Sequence, residues 1–284
     1  MKEKALDDLT EKRTKHPPIP VNQDIRFVDS HLHLDLLWKE AGPSVNRLAR
    51  IGCLPISWAF GRNIRSSSDL RQYLKNKSGL IREIGKNRLH CFYLVGVHPR
   101  NIPPDLETGD VCGLVLPYLD DPLCLGLGEI GLETGSKREE DIFQAQLEVA
   151  EVAARRGKVI GIHTPRKEKE RITAQTLLML KDFSRWKESI VVDHCTPETI
   201  GGVLASGLWA GVTVSPPKCT LGDVIKIAQR HARLTGKIML NTDSGTTLYE
   251  DLNRIVTSGD LYDSLKTDLT RDNACRFYGI KLRP

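Results

Sequence analysis

Short apolar runs alternate along the chain with longer stretches in which apolar positions recur every three or four residues. The short runs predict strands at 27–30, 53–58, 91–97, 124–128, 159–162, 190–192, 209–214 and 238–241. They lack a steady apolar–polar alternation, as parallel strands covered on both faces do. The longer stretches predict helices, most clearly over 69–84 and 141–156. The second carries a stripe of Phe143, Leu147, Ala150, Val152 and Ala154. Shorter helices are expected at 197–205, 221–234 and 248–256, with Pro197 and Gly236 where helix starts and stops are marked. Eight strand candidates with helical segments between them predict an α/β fold, a single-domain (β/α)8 TIM barrel. An open doubly wound sheet has a similar alternation, but no GxGxxG follows the first strand.

Composition narrows this picture. The 284 residues are long enough for one barrel domain, and a chain of this size buries about 75% of its unfolded surface without disulfides. With 40% hydrophobic residues it is not a disordered chain. Residues 1–24 form a charged leader ending in His16-Pro-Pro-Ile-Pro20, and the barrel is expected over 25–284. The leader lacks the apolar stretch of a signal peptide, and no apolar run is long enough to span a bilayer. Seven scattered cysteines without a CxxC pair do not read as a disulfide framework. A cytoplasmic protein without membrane contact is expected. The net charge of +5 is weak evidence for an anionic partner.

The chemistry lies at the strand ends, where a barrel carries its active site. The first strand ends in Val28-Asp-Ser-His31-Leu-His33, and alternation along an extended segment points both imidazoles the same way. Two neutral imidazoles so placed suit a metal ion, although two ordinary histidines give the same pattern. Glu129 lies between glycines after the fourth strand. His163 and His194 directly follow the fifth and sixth strands, and Asp243 follows the eighth. Each has a plain structural explanation alone, a helix cap in the case of Asp243. Together they supply six metal-capable side chains on strands that a barrel brings to one pocket. Four His, one Glu and one Asp suffice for two divalent ions. Cys195 beside His194 does not make a nucleophile pair, because adjacent strand residues point apart.

In sequence order, His31-Leu-His33, Gly96-Val-His98-Pro99, Gly128-Glu129-Ile-Gly-Leu132, Ile162-His163 and Thr242-Asp243 resemble the motifs of the TatD-type metal-dependent hydrolases. The resemblance runs from about 26 to 279. It is closest to a little-characterised branch of predicted TIM-barrel hydrolases around Asp193-His194-Cys-Thr-Pro and Gly211-Val-Thr-Val-Ser-Pro-Pro-Lys218. It implies two divalent ions, of Zn, Mn, Mg, Ni or Co. His31, His33 and Asp243 would hold the first, His163 and His194 the second, with Glu129 bridging. It further implies a phosphodiesterase or deoxyribonuclease in which hydroxide generated at the metals attacks and Asp243 is the general base. His98 would meet a phosphate oxygen or the leaving group. Lys218, Glu133 and Arg166 are expected at the substrate, with Arg100 and Lys167 as weaker candidates.

The sequence departs from the family pattern in ways expected to alter the substrate-facing surroundings. Asn241 replaces an acidic residue before Thr242, Glu133 replaces an aspartate, and Pro165 stands where an arginine is usual, with Arg166 next. DNA is therefore one expected substrate, and a small anionic ester, lactone, amide or phosphate the alternative. A non-catalytic metal scaffold would not need every ligand and the base intact.

Overall fold

The computed structural model describes residues 19–21, 24–86 and 89–282. The predicted leader over 1–24 falls almost entirely outside these residues. Eight strands form one parallel sheet in sequence order. They are β2 (Phe27–Leu32), β3 (Cys53–Ser57), β4 (Phe92–Val95), β5 (Cys124–Gly131), β6 (Val159–His163), β7 (Ile190–Val192), β8 (Trp209–Thr213) and β9 (Ile238–Asn241). Helical segments cross over between successive strands, as parallel pairing requires.

The ends of the sheet close on each other at a seam. Asp243 N donates to His31 O (2.9 Å) and His33 N to Ser244 O (2.7 Å). Side chains complete the joint. Ser30 Oγ donates to Leu240 O (3.0 Å), and Asp29 accepts from Thr242 N (3.0 Å) and Thr242 Oγ1 (2.6 Å). The seam thereby registers His31 and His33 against Asp243.

Two buried clusters divide the core. One fills the barrel with Val28, Leu54, Ile56, Trp58, Phe92, Leu94, Leu125, Val159, Val191, Trp209 and Met239. Phe277, Tyr278, Ile280 and Val21 belong to this cluster too. They stopper the end opposite the site, where β1 (Ile19–Val21) pairs with β10 (Ile280–Leu282). The other cluster packs outward-facing strand residues such as Phe27, Tyr93, Leu127 and Ile160 against the helices.

Three differences from the sequence expectation have physical causes. The helix Leu34–Arg50 was not expected, because Gly42-Pro43 interrupts its pattern. The helix Lys137–Arg155 starts four residues before the expected 141, because Ser136 caps it by accepting from Glu139 N (3.4 Å). The expected 221–234 helix ends at Arg230. Among the described residues no helix is long and apolar enough to cross a membrane.

Candidate metal centre

All six expected ligands meet at the C-terminal mouth of the barrel. His31 is fully buried. Its Nδ1 donates to the Asp193 carboxylate, and its ring stacks on Trp58 at 4.1 Å between centroids. Its Nε2 is buried without a hydrogen-bond partner, 3.3 Å from Glu129 Oε2 and 3.7 Å from Asp243 Oδ1. His33 Nδ1 donates to Trp58 O (3.1 Å), which turns Nε2 to Asp243 Oδ1 at 3.0 Å. Glu129 Oε1 lies 2.5 Å from His163 Nδ1, 3.0 Å from His194 Nε2 and 3.6 Å from His98 Nε2.

The far nitrogens are all held. His163 Nε2 meets Glu133 Oε2 (2.8 Å), and His98 Nδ1 accepts from Arg100 N (3.0 Å). His194 Nδ1 meets Thr213 Oγ1 (2.7 Å), which donates to Asn241 Oδ1 (2.9 Å), and Asn241 Nδ2 donates to Asp193 Oδ1 (2.9 Å). One buried chain thus orients His194 and His31 together. It also explains Asn241. An acidic residue there would confront the Asp193 carboxylate, whereas the amide donates to it. Asn241 is fully buried behind the ligands and does not face substrate, contrary to the expectation drawn from its departure.

Two glycines make room for this arrangement. A Cβ on Gly161 would lie 2.4 Å from the Trp58 ring, and one on Gly211 would lie 2.1 Å from Asp193 Oδ1. His194 and Asp243 adopt left-handed backbone conformations, at φ 59° and 51°, that non-glycine residues rarely take. Such geometry persists where its surroundings enforce it, often at functional sites.

These distances fit a metal pair. His31, His33 and Asp243 offer ligand atoms close enough to share one ion, and so do His98, Glu129 and His163; His194, expected in that second group, instead groups with His31 and Asp193, although its Nε2 also lies 3.0 Å from Glu129 Oε1. The orphaned His31 Nε2 is an independent mark, since a buried polar atom without a partner is costly. Carboxylate or carbonyl partners on the far nitrogens are the usual support of metal-binding imidazoles. The electrostatics show how strongly Glu129 and the histidines act on one another. Burial pushes Glu129 up, but His31, His98 and His163 outweigh it and hold the carboxyl well below its usual range. Burial lowers His31, yet Glu129 and Asp193 raise it to about 10. Burial brings His98 down to about 4. Burial and then Lys218 bring His194 to about 3.

The other expected residues divide. A cavity of about 390 Å³ opens over the ligands, lined also by Phe60, Arg62, His98, Arg100, Arg166, Lys218, Thr246 and Tyr249. Lys218 pairs with Asp243. Glu133 does not line this cavity; it stands behind His163 and bonds Arg100 (2.9 Å). Lys167 is exposed and does not line it. The Cys195 thiol is buried against Val192 O (3.2 Å), and burial pushes its pKa up, so it offers no nucleophile. Sequence reasoning missed Asp193, Trp58 and Lys77, the buried groups behind the ligands. Only Asp193, directly before a strand-end histidine, gave a local signal.

A family model described as TatD related DNase matches residues 28–246. The chain belongs to this family. It is 29% identical over 225 residues to an uncharacterized metal-dependent hydrolase of Methanocaldococcus jannaschii, covering 78% of this chain and 84% of that one. Among solved structures, the TatD-like protein of Archaeoglobus fulgidus matches with a TM-score of 0.67 and 27% identity, over 89% of this chain and all of that one. A TatD homologue from Escherichia coli K12 matches at 0.56 with 17% identity, over 90% and 95% of the two chains, and shares the fold. The expected barrel and the expected family are therefore both found. Membership makes the chain a metal-dependent hydrolase of TatD type.

Proposed function

We propose that the protein hydrolyses phosphoester bonds with two divalent ions held by His31, His33, Glu129, His163, His194 and Asp243. The observation that carries this reading is the convergence of these six side chains beneath a mouth lined by Arg62, Arg100, Arg166 and Lys218. Bound divalent ions supply Lewis acidity and bring the pKa of a water from 15.7 to about 7. The chain's own groups do the rest. Asp243 faces both His33 and Lys218. Lys218 first, then His33, hold its carboxyl well below the usual range against the effect of burial, so it is ionised; as general base it would take its proton from a water that the ions have already acidified. His98, held through Nδ1, turns Nε2 toward the cluster and meets the leaving group or a phosphate oxygen. Lys218 and Arg166 receive the substrate's charge.

Family membership favours DNA as the substrate. The modest volume of the cavity, about 390 Å³, with Phe60 and Tyr249 among its aromatic side chains, favours a small anionic ester as the second reading. Seven free cysteines support a reducing, cytoplasmic setting. The test is hydrolysis by chelator-stripped protein resupplied with Mn, Mg, Zn, Ni or Co. Labelled single-stranded DNA, a chromogenic phosphodiester, a phosphomonoester and an aryl ester are offered in parallel. Cleavage of DNA and the diester, lost in Asp243→Asn, is expected. Cleavage of the aryl ester alone would refute the phosphoester reading.

A further inference from the structure

The cations of the mouth are not evenly spread. Arg62, Arg100 and Arg166 follow β3, β4 and β6, three of the four successive strands β3 to β6 on one side of the barrel. The opposite arc, after β8 and β9, presents Lys218 with Ser215, Thr246, Thr247 and Tyr249.

The arginines also stand a tier outward. The side chains of Arg62 and Arg100 are 47% and 46% exposed, against 8% or less for His33, His163, His194 and Glu129. Arg100 is nevertheless fixed. Its Nε donates to Glu133 Oε1 (2.9 Å), while Glu133 Oε2 holds His163 Nε2 (2.8 Å). One carboxylate therefore ties an outer arginine to an inner histidine, and among the described residues both terminal guanidinium nitrogens of Arg100 are left for another acceptor. Arg166, three residues past His163, has no ion-pair partner among the described residues.

A guanidinium fork matches the paired oxygens of a phosphate. The inner tier already provides for the reacting group, so the outer forks suit a different one. We propose that Arg100 and Arg166 form a subsite for a second, non-reacting phosphate of the substrate. This inference rests on the phosphoester reading. The second phosphate can be the next one along a nucleic-acid strand or a terminal phosphate on a small molecule.

The test is calorimetric binding to the full chain loaded with Mn, at a temperature where each probe is recovered uncleaved after the titration. The probes are thymidine 5′-monophosphate, thymidine 3′-monophosphate, thymidine 3′,5′-bisphosphate and a tetrathymidylate lacking terminal phosphates. The bisphosphate is expected to bind about tenfold more tightly than either monophosphate, as charge-assisted bidentate bonds allow. Arg100→Gln should bring that ratio to about twofold or less. The ratio, rather than absolute affinity, is read, so partial loss of folded protein does not mimic the effect. Tighter binding of the tetrathymidylate than of the bisphosphate also supports the subsite and assigns the phosphate to a strand. Equal affinity of wild-type protein for mono- and bisphosphate, with no gain for the tetramer, would overturn it. If the ratio holds while no phosphoester is cleaved, the phosphoester reading fails and the anion subsite stands. If phosphoesters are cleaved and the ratio is one, the subsite alone fails.

Discussion

Lys77 gives the sharpest stability test of the layer behind the ligands. Its side chain is fully buried, and Nζ donates to Asp35 Oδ1 (2.7 Å), Ser57 Oγ (2.6 Å) and Trp58 O (2.9 Å). The same Trp58 carbonyl accepts from His33 Nδ1. Burial draws the lysine pKa below its ordinary value, with Asp35 opposing. Lys77→Met keeps the length of the stem but leaves the part-buried Asp35 carboxylate without its counter-ion, with Ser57 Oγ (3.2 Å) as its remaining donor. Breaking a buried pair on one side costs about 3–5 kcal/mol. Asp35 lies in the first turn of its helix, where free amides favour an anion, so the lower end applies. At about 2 cal/mol/K per residue over 284 residues, 3 kcal/mol corresponds to roughly 5 °C in melting temperature. Thermal unfolding of the stripped protein measures this. Adding Asp35→Asn to Lys77→Met should recover part of the loss, since the uncompensated charge is then gone. A single variant that melts within about 1 °C of wild type would refute the claim that Lys77 carries this layer.

Three further outcomes follow from the same layer. Asp193→Asn should weaken metal binding about 10–100-fold in a chelator competition by loosening His31, and unchanged affinity would remove Asp193 from the site. Gly211→Ala should lower metal affinity in the same direction, because the new methyl would occupy space 2.1 Å from Asp193 Oδ1; wild-type affinity would show that Asp193 can shift freely. Burial, outweighing the Thr242 hydrogen bonds, pushes the Asp29 carboxyl up to about 7. In the unfolded chain it titrates near 4, so between about pH 4 and 7 the folded protein holds a proton that the unfolded one has lost. Its contribution to stability is full below that window and lost as pH rises through it. Asp29→Asn should therefore make stability fall less with pH across the window, and identical pH profiles of variant and wild type would exclude the effect.

The ligands were legible because each ends a strand, and strand order alone gathers strand ends in a barrel. Their supports were not. Asp193 reaches His31 across 162 positions, Asp29 reaches Thr242 across 213, and Lys77 acts from a helix face read as ordinary. No local pattern announces a pairing set by closure of the sheet. Glu133 was expected at the substrate from its spacing to Glu129, but the backbone after β5 turns it to the back of His163. The Leu34–Arg50 helix was hidden by Gly42-Pro43. β1 and β10 were too short to register, each gaining its place by pairing with the other.

The most direct test of the central claim is metal stoichiometry. Chelator-stripped full-length protein is titrated with Mn or Zn, freed of excess metal by gel filtration and assayed by elemental analysis. Wild-type protein is expected to retain close to two ions per chain, and Glu129→Gln, which removes the carboxylate facing both ligand groups, distinctly fewer. Wild-type protein that retains no metal, or a Glu129→Gln variant that still retains two, would contradict the proposed centre.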